Sequence, residues 1–159
     1  MKTTIRLLAL LAVVCLIFCG CSVEDKTITV DNMTMSVPGN YMDFSKEDYA
    51  AGYALVYGSQ SGAVMVLKEN RADFEAYGLA DMTAMDYVEL LEQGYQLTNI
   101  TEQSNGMVTF QFDNQGNTYL AAVFADEDAF WLIQAGCPSD GFAKQEETFR
   151  NILNSVSFA

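Results

Sequence analysis

Two stretches in the second half of the chain constrain the fold more than any other feature. Leu120-Ala121-Ala122-Val123-Phe124 and Phe130-Trp131-Leu132-Ile133 are apolar at every position, and Ala125-Asp126-Glu127-Asp128 separates them as a turn. A strand with one wet face alternates apolar and polar residues; a strand covered on both faces reads as a continuous apolar run. These two stretches therefore predict central strands of a sheet with packing on each side. The covering elements are expected to be helices. Asp81 to Gln93 places Ala84, Met85, Val88, Leu91 and Tyr95 at helical spacing, with Asp81 as cap and Gly94 as stop. Asp140 to Asn154, capped by Ser139 or Asp140, sets Phe142, Phe149, Ile152, Leu153 and Val156 along one side and Lys144, Glu146, Glu147 and Arg150 along the other.

The remaining segments supply strands. Thr27 to Val37 reads as a hairpin: a turn at Asp31-Asn32 sets Val30 opposite Met33 and Ile28 opposite Met35, so that the apolar side chains share a face. Pro38-Gly39-Asn40 ends it, and Ser45 is the expected cap of a short helical turn. Tyr53 to Tyr57 and Ala63 to Lys68 form a second pair around Ser59-Gln60-Ser61-Gly62, and Asp73 to Gly78 suits one helical turn. Leu97–Gln103, Met107–Phe112, Thr118–Phe124 and Phe130–Gly136 then follow as a meander, the first polar enough for a sheet edge. The expected fold class is α+β, an antiparallel β-sheet flanked by helices on both faces, in a single domain over residues 27–159.

The front of the chain has another character. Lys2 and Arg6 precede the uncharged run Leu7 to Phe18. A membrane-spanning helix needs about 20 apolar residues, and this run is shorter, as in a signal peptide. Its ending, Phe18-Cys19-Gly20-Cys21-Ser22, resembles the lipobox of bacterial lipoproteins. That resemblance implies a leader over residues 1–20, a diacylglyceryl group on the Cys21 thiol, and a lipidated N-terminus with a short tether over residues 21–26. Two or three acyl chains anchor stably where one does not. The expected location is the extracytoplasmic face of the cell membrane.

A second resemblance rests on three segments: Ser36-Val37-Pro38-Gly39 with Tyr41, the strand Ala129 to Gln134, and the ending Glu147 to Phe158. Together they resemble the PsbP-like family, which includes the extrinsic photosystem protein, a Ran-binding nuclear import factor and many small bacterial lipoproteins. The resemblance implies an antiparallel sheet packed between helices. It transfers no catalytic residues, and its better-known members bind other macromolecules.

Charge and composition then exclude several chemistries. Loss of Lys2 and Arg6 with the leader leaves 6 cations against 21 anions, a net charge of −15. Nucleic-acid binding needs the opposite sign. Histidine is absent, which removes the commonest general base and metal ligand and any Ser-His-Asp triad. No Gly-x-Ser-x-Gly elbow and no phosphate-cradling loop is present. Cys137 is the one cysteine left beyond the lipobox, at a strand end, and reads as a small hydrophobe. Asp126, Glu127 and Asp128 are the weak candidates for a hard cation; they read better as a solvated turn. Met33, Met35 and Met42 fit soft-metal chemistry less well than core filling, and Trp131 reads as core. Asp86 and Glu89 read as solubilising charge. Tyr41, Tyr49, Tyr53 and Tyr57 are a possible interaction surface, although strand and loop packing is their plainer reading.

The expected function is that of a non-enzymatic protein-binding or assembly domain, held to the membrane through Cys21. It would meet a protein partner with a basic patch, with no cofactor and no nucleic acid. The alternatives are a small-molecule receptor with a pocket between sheet and helix, and a hydrolase using carboxylates alone.

Overall fold

The structure is a computed structural model and describes residues 24–159, apart from residue 80 and the side chain of Tyr49. The expected leader and the lipid-bearing Cys21 lie outside the described residues. The main sheet contains β3 (Met42–Asp43), β4 (Leu55–Ser59), β5 (Gly62–Asn70), β6 (Thr98–Glu102), β7 (Val108–Asn114), β8 (Asn117–Ala125) and β9 (Ala129–Pro138). Their spatial order is β3-β4-β5-β9-β8-β7-β6, antiparallel throughout. The two apolar runs lie in β8 and β9 at the centre, where Leu120–Val123 and Ala129–Ile133 are all buried. Polar β6 is an edge strand, bulged between Thr98 and Thr101, with Asn99 at φ 55°.

Among the described residues three α-helices complete the layers: α1 (Arg71–Glu75), α2 (Ala84–Glu92) and α3 (Phe142–Asn154). On one face of the sheet, Ala122, Trp131 and Ile133 pack against Phe149, Ile152 and Leu153 of α3. On the other face, Ala121, Val123, Phe130 and Leu132 pack against Ala84, Tyr87 and Val88 of α2. Helices thus cover both faces, as the doubly apolar strands require.

The opening hairpin, β1 (Lys26–Val30) and β2 (Met33–Val37), has the expected register, Val30 opposite Met33 and Ile28 opposite Met35. Its turn residue Asp31 adopts φ 50°, a left-handed conformation that aspartate tolerates better than most. The hairpin does not join the main sheet. The small residues that follow α3 form β10 (Ser157–Phe158), which pairs with β2 and makes a separate three-stranded sheet, β1-β2-β10. Met33, Met35 and Val37 of that sheet enter the same core layer as α3. Two polar contacts tie its turn to the main sheet. Lys68 forms an ion pair with Asp31 at 2.6 Å while crossing the ring of Trp131 at 4.9 Å, and Asn32 donates to Asp126 at 3.2 Å.

Three expected caps are replaced. Thr83, not Asp81, caps α2: its hydroxyl accepts from the Asp86 amide, and the Asp86 carboxylate accepts from the Thr83 amide at 2.8 Å, a reciprocal capping box. The two Thr83 hydrogen bonds hold the Asp86 carboxyl below the usual aspartate value, so Asp86 caps the helix where free surface charge was expected. Neither Ser139 nor Asp140 caps α3, whose N-cap is Gly141. The Ser139 hydroxyl instead donates to the Gly116 carbonyl at 3.1 Å and accepts from Thr118 at 2.9 Å, clasping the β7–β8 turn. Ser45 caps nothing; its hydroxyl accepts the Val56 amide at 2.9 Å, and the short 3-10 turn falls later, at Asp48–Ala50.

Phe158 closes the small sheet over Phe124 and Trp131, with ring centroids 5.6 and 5.7 Å away. Phe158→Ala is expected to cost about 1–2 kcal/mol, part of the value of a fully buried ring because Phe158 is only partly buried. Urea denaturation measures this; an unchanged midpoint would show that β10 does not hold the layer.

Candidate functional site

Helix α2 is short, about 13 Å at 1.5 Å per residue, and covers only part of its sheet face. Beyond its end the face continues through Met65 of β5, Gln134 of β9, Tyr119 of β8 and Phe112 of β7. A cavity of about 340 Å³ opens there, rimmed by Tyr53 and by Tyr95 and Leu97 of the segment that follows the helix.

Strand register builds the cavity floor. Tyr119 lies directly opposite Gly136, and a Cβ on Gly136 would fall 2.3 Å from the Tyr119 ring. Glycine therefore lets the ring press onto the neighbouring strand, where any side chain would lift it away. Phe112, paired with Tyr119 in the next strand, stacks on it at 4.8 Å and 10°. Tyr95 meets Phe112 at 5.5 Å and 57° as an inclined second wall, and is 48% exposed at the mouth. Burial, with Tyr53 adding, pushes the Tyr119 phenol up.

One lining carboxylate belongs to Glu69, on β5, which accepts a hydrogen bond from the Tyr87 hydroxyl. Burial, then the hydrogen bond to Glu69 and its charge, push the Tyr87 phenol well above its ordinary value, so Tyr87 stays a donor across the physiological range. Tyr87 itself is held by Phe130, stacked at 5.0 Å, and by Phe74, edge-on at 6.1 Å.

A larger groove, about 860 Å³, runs past Arg71, Asp126 and Phe158. Its most functional-looking groups already hold loops. Arg71 donates to the carbonyls of Asp126 and Met82 at 2.7 and 2.8 Å and lies 4.3 Å over the Phe130 ring. The smaller cavity, with aromatic walls and Glu69, Asn114 and Gln134 in its lining, is the better ligand site.

The residues singled out in the sequence disperse. Asp126 is half-buried and its carboxylate is fully engaged: Oδ1 accepts the amides of Asp128 and Ala129 at 2.8 and 2.7 Å, and Oδ2 accepts Trp131 Nε1 at 2.9 Å and the Asn32 side-chain amide. Glu127 and Asp128 are exposed. Among the described residues no group of three or more metal-ligating side chains converges. Tyr41 is no surface residue. The turn that bonds its amide to the Pro38 carbonyl at 2.9 Å returns it to the core, where it is 1% exposed. Burial pushes its phenol up, Ser59 drawing it back and Cys137 adding to the rise. The Tyr49 side chain lies outside the described residues. Tyr57 sits half-buried on the α3 face of the sheet, whereas Tyr53 lines the cavity on the opposite face. Met33 and Met35 are buried, and Met42 is exposed on edge strand β3. Burial and then Asp140 push the Cys137 thiol up, away from thiolate chemistry.

No family model and no curated protein matches the sequence. Solved structures do match. The solution structure of cyanobacterial PsbP (CyanoP) from Synechocystis sp. PCC 6803 is similar over 89% of this chain and 96% of that one, with TM-score 0.57 and 16% identity. The chain has a PsbP-like fold. A Bacteroides thetaiotaomicron crystal structure aligns with 87% of this chain at TM-score 0.50 and 12% identity, and the chain spans 49% of that protein. LpqN, involved in cell envelope biogenesis of Mycobacterium tuberculosis, is less similar, with TM-score 0.38 and 11% identity over 86% of this chain and 91% of that one. The PsbP-like fold agrees with the family resemblance seen in the sequence. Glu69, Tyr87, Tyr119 and Gln134 carried no signal as a site, because only a shared sheet face and the length of α2 set them along one cavity.

Asp126 yields a stability test. Burial raises its carboxyl; hydrogen bonds from Trp131, Asn32 and the two backbone amides outweigh that and hold it below the usual aspartate value. A carboxyl depressed in the fold stabilises above its unfolded value, near 3.9, and loses that contribution as pH falls through the folded value. Asp126→Asn removes the acceptor of the buried indole and is expected to cost about 1–3 kcal/mol at neutral pH. The loss should shrink in acid, below about pH 4. Urea titrations across pH check this; an identical deficit at every pH would refute it.

Proposed function

We propose that this chain is a lipid-anchored, extracytoplasmic, non-enzymatic binding domain that takes a small organic ligand between its sheet and α2. The cavity carries the reading. Ligand sites are concave and mostly apolar, about 300–1,000 Å³, with a few convergent polar groups. The 340 Å³ space, floored by Phe112 and Tyr119 and edged by Glu69 and Gln134, meets that description. Its lining supports binding over hydrolysis: Glu69 is the single acid among the described lining residues, and a carboxylate-only hydrolase needs two facing one another. Anchoring is supported by the leader and by Gly20-Cys21. Among the described residues no helix is long and apolar enough to cross a membrane. A protein partner bearing a basic patch is the second reading, favoured by the net charge of −15 left after leader removal.

Thermal denaturation of the mature domain against a metabolite library tests the cavity. A bound compound at 100 times its Kd adds about 2.7 kcal/mol of stability. Gln134→Trp, which fills the cavity from a half-buried position on β9, is expected to abolish that gain. If no compound stabilises the domain in a Gln134→Trp-sensitive way, the reading fails. Anchoring is tested apart from it: Cys21→Ala is expected to move the protein from the membrane fraction to the soluble fraction, and retention in the membrane would refute the anchor.

A further inference from the structure

We propose that the larger groove docks an extended basic segment of a protein partner, in which lysine or arginine alternates with apolar residues. This gives the second reading of the function a place on the surface and draws nothing from the cavity beside Tyr119. The groove, about 860 Å³, crosses one end of the main sheet between the β6–β7 and β8–β9 turns, with the entry to α2 on one side and β10 on the other. Its floor is apolar. Phe124 and Phe158, with ring centroids 5.6 Å apart, line it and are only partly buried, so part of each ring faces whatever enters. Its walls are fixed. Arg71 donates to the carbonyls of Asp126 and Met82, and the Asp126 carboxylate holds its own turn through the amides of Asp128 and Ala129. A groove already in place binds without an ordering cost of its own.

The rim sets the sign of the partner's charge. Asp81, Glu102 and Glu127 line the groove, are exposed, and belong to neither of the ion pairs among the described residues, Lys68–Asp31 and Arg150–Glu146. The described lining holds one basic residue, Arg71, which is engaged with the wall carbonyls. Three carboxylates around partly covered rings complement a segment that brings cations and apolar side chains together. Alternate residues of an extended segment face opposite sides. Its apolar side chains then meet Phe124 and Phe158, while long lysine stems reach back to the rim. The hairpin argues for protein over a lipid headgroup. β1 runs from Lys26 to Val30, about 13 Å at 3.3 Å per position, and Asn32 in the turn that follows bonds Asp126. The groove therefore lies at the turn end of the hairpin, and the tether leaves from the other end. A domain held at Cys21 turns this groove away from its own bilayer.

Isothermal titration of the mature domain with blocked pentapeptides tests the assignment: lysine alternating with phenylalanine, lysine with serine, and glutamate with phenylalanine. The lysine–phenylalanine peptide is expected to bind about tenfold more tightly than the lysine–serine peptide, and the glutamate peptide is expected not to bind. Combining Asp81→Lys, Glu102→Lys and Glu127→Lys is expected to weaken the lysine–phenylalanine peptide about tenfold or more. A control combining Glu47→Lys, Glu92→Lys and Glu147→Lys changes exposed positions outside the groove to the same net charge, and is expected to stay within about threefold of the wild type. If the first combination does not fold, Glu102→Lys alone, on the exposed edge strand, is expected to weaken binding about threefold, and an unchanged affinity would overturn the rim. Gln134→Trp is expected to leave the peptide unaffected. Equal weakening by both combinations would reduce the attraction to net charge and overturn the groove. Loss of binding in Gln134→Trp would move the peptide to the cavity, with the same consequence. No binding of the lysine–phenylalanine peptide, or binding equal to that of the serine or glutamate peptide, would overturn the proposal and leave the cavity reading to its own ligand screen.

Discussion

The Asp126 carboxylate accepts four hydrogen bonds, and through them it fixes the turn between the two central strands. An indole N–H in a dry layer needs an acceptor, and Trp131 is fully buried. Asp126 supplies it while bonding the two amides that close the turn. The turn in turn sets which residues of β8 and β9 face one another. A slip of one position would move every side chain of the hairpin to the wrong face. Trp131 and Ile133 would leave the α3 layer, Phe130 and Leu132 would leave the α2 layer, and Tyr119 would no longer lie over Gly136. The core on both sides and the floor of the cavity therefore depend on one carboxylate.

Much of this was legible in the sequence because its cause is local. Alternation and continuous apolar runs gave the strands, their faces and the need for cover on both sides. The Asp31-Asn32 turn gave the hairpin register. The caps were less legible, since Thr83 and Asp81 are both good capping residues and only the path of the chain into α2 chooses between them. The destination of the hairpin was not legible at all. Ser157 and Phe158 look like an exit from a helix, and their pairing with Thr34 and Met33 depends on where α3 ends in space.

The cavity was hidden for a related reason. Each of its residues has an ordinary local explanation: Tyr95 as part of a helical stripe, Glu69 as charge near a strand end, Gly136 as a small residue in a strand. Two facts combine them. Turn positions fix Phe112 opposite Tyr119 and Tyr119 opposite Gly136, which counting outward from the two turns would have revealed. The length of α2, which ends at Glu92, leaves that part of the sheet without a helix. The tyrosines singled out by sequence proximity were separated by the same alternation that placed the strands, because residues near one another along a strand need not share a face.

The small sheet joins segments far apart in the chain: Thr34 and Ser157 touch through their hydroxyls at 2.7 Å across 123 positions. The early hairpin carries Met33, Met35 and Val37 into the core but cannot complete its sheet until residues 157–158 are available. During synthesis, a sheet wired in this way stays incomplete until almost the whole chain has been made. Late closure leaves Met33, whose strand partner is Phe158, without its cover until the last residues are in place.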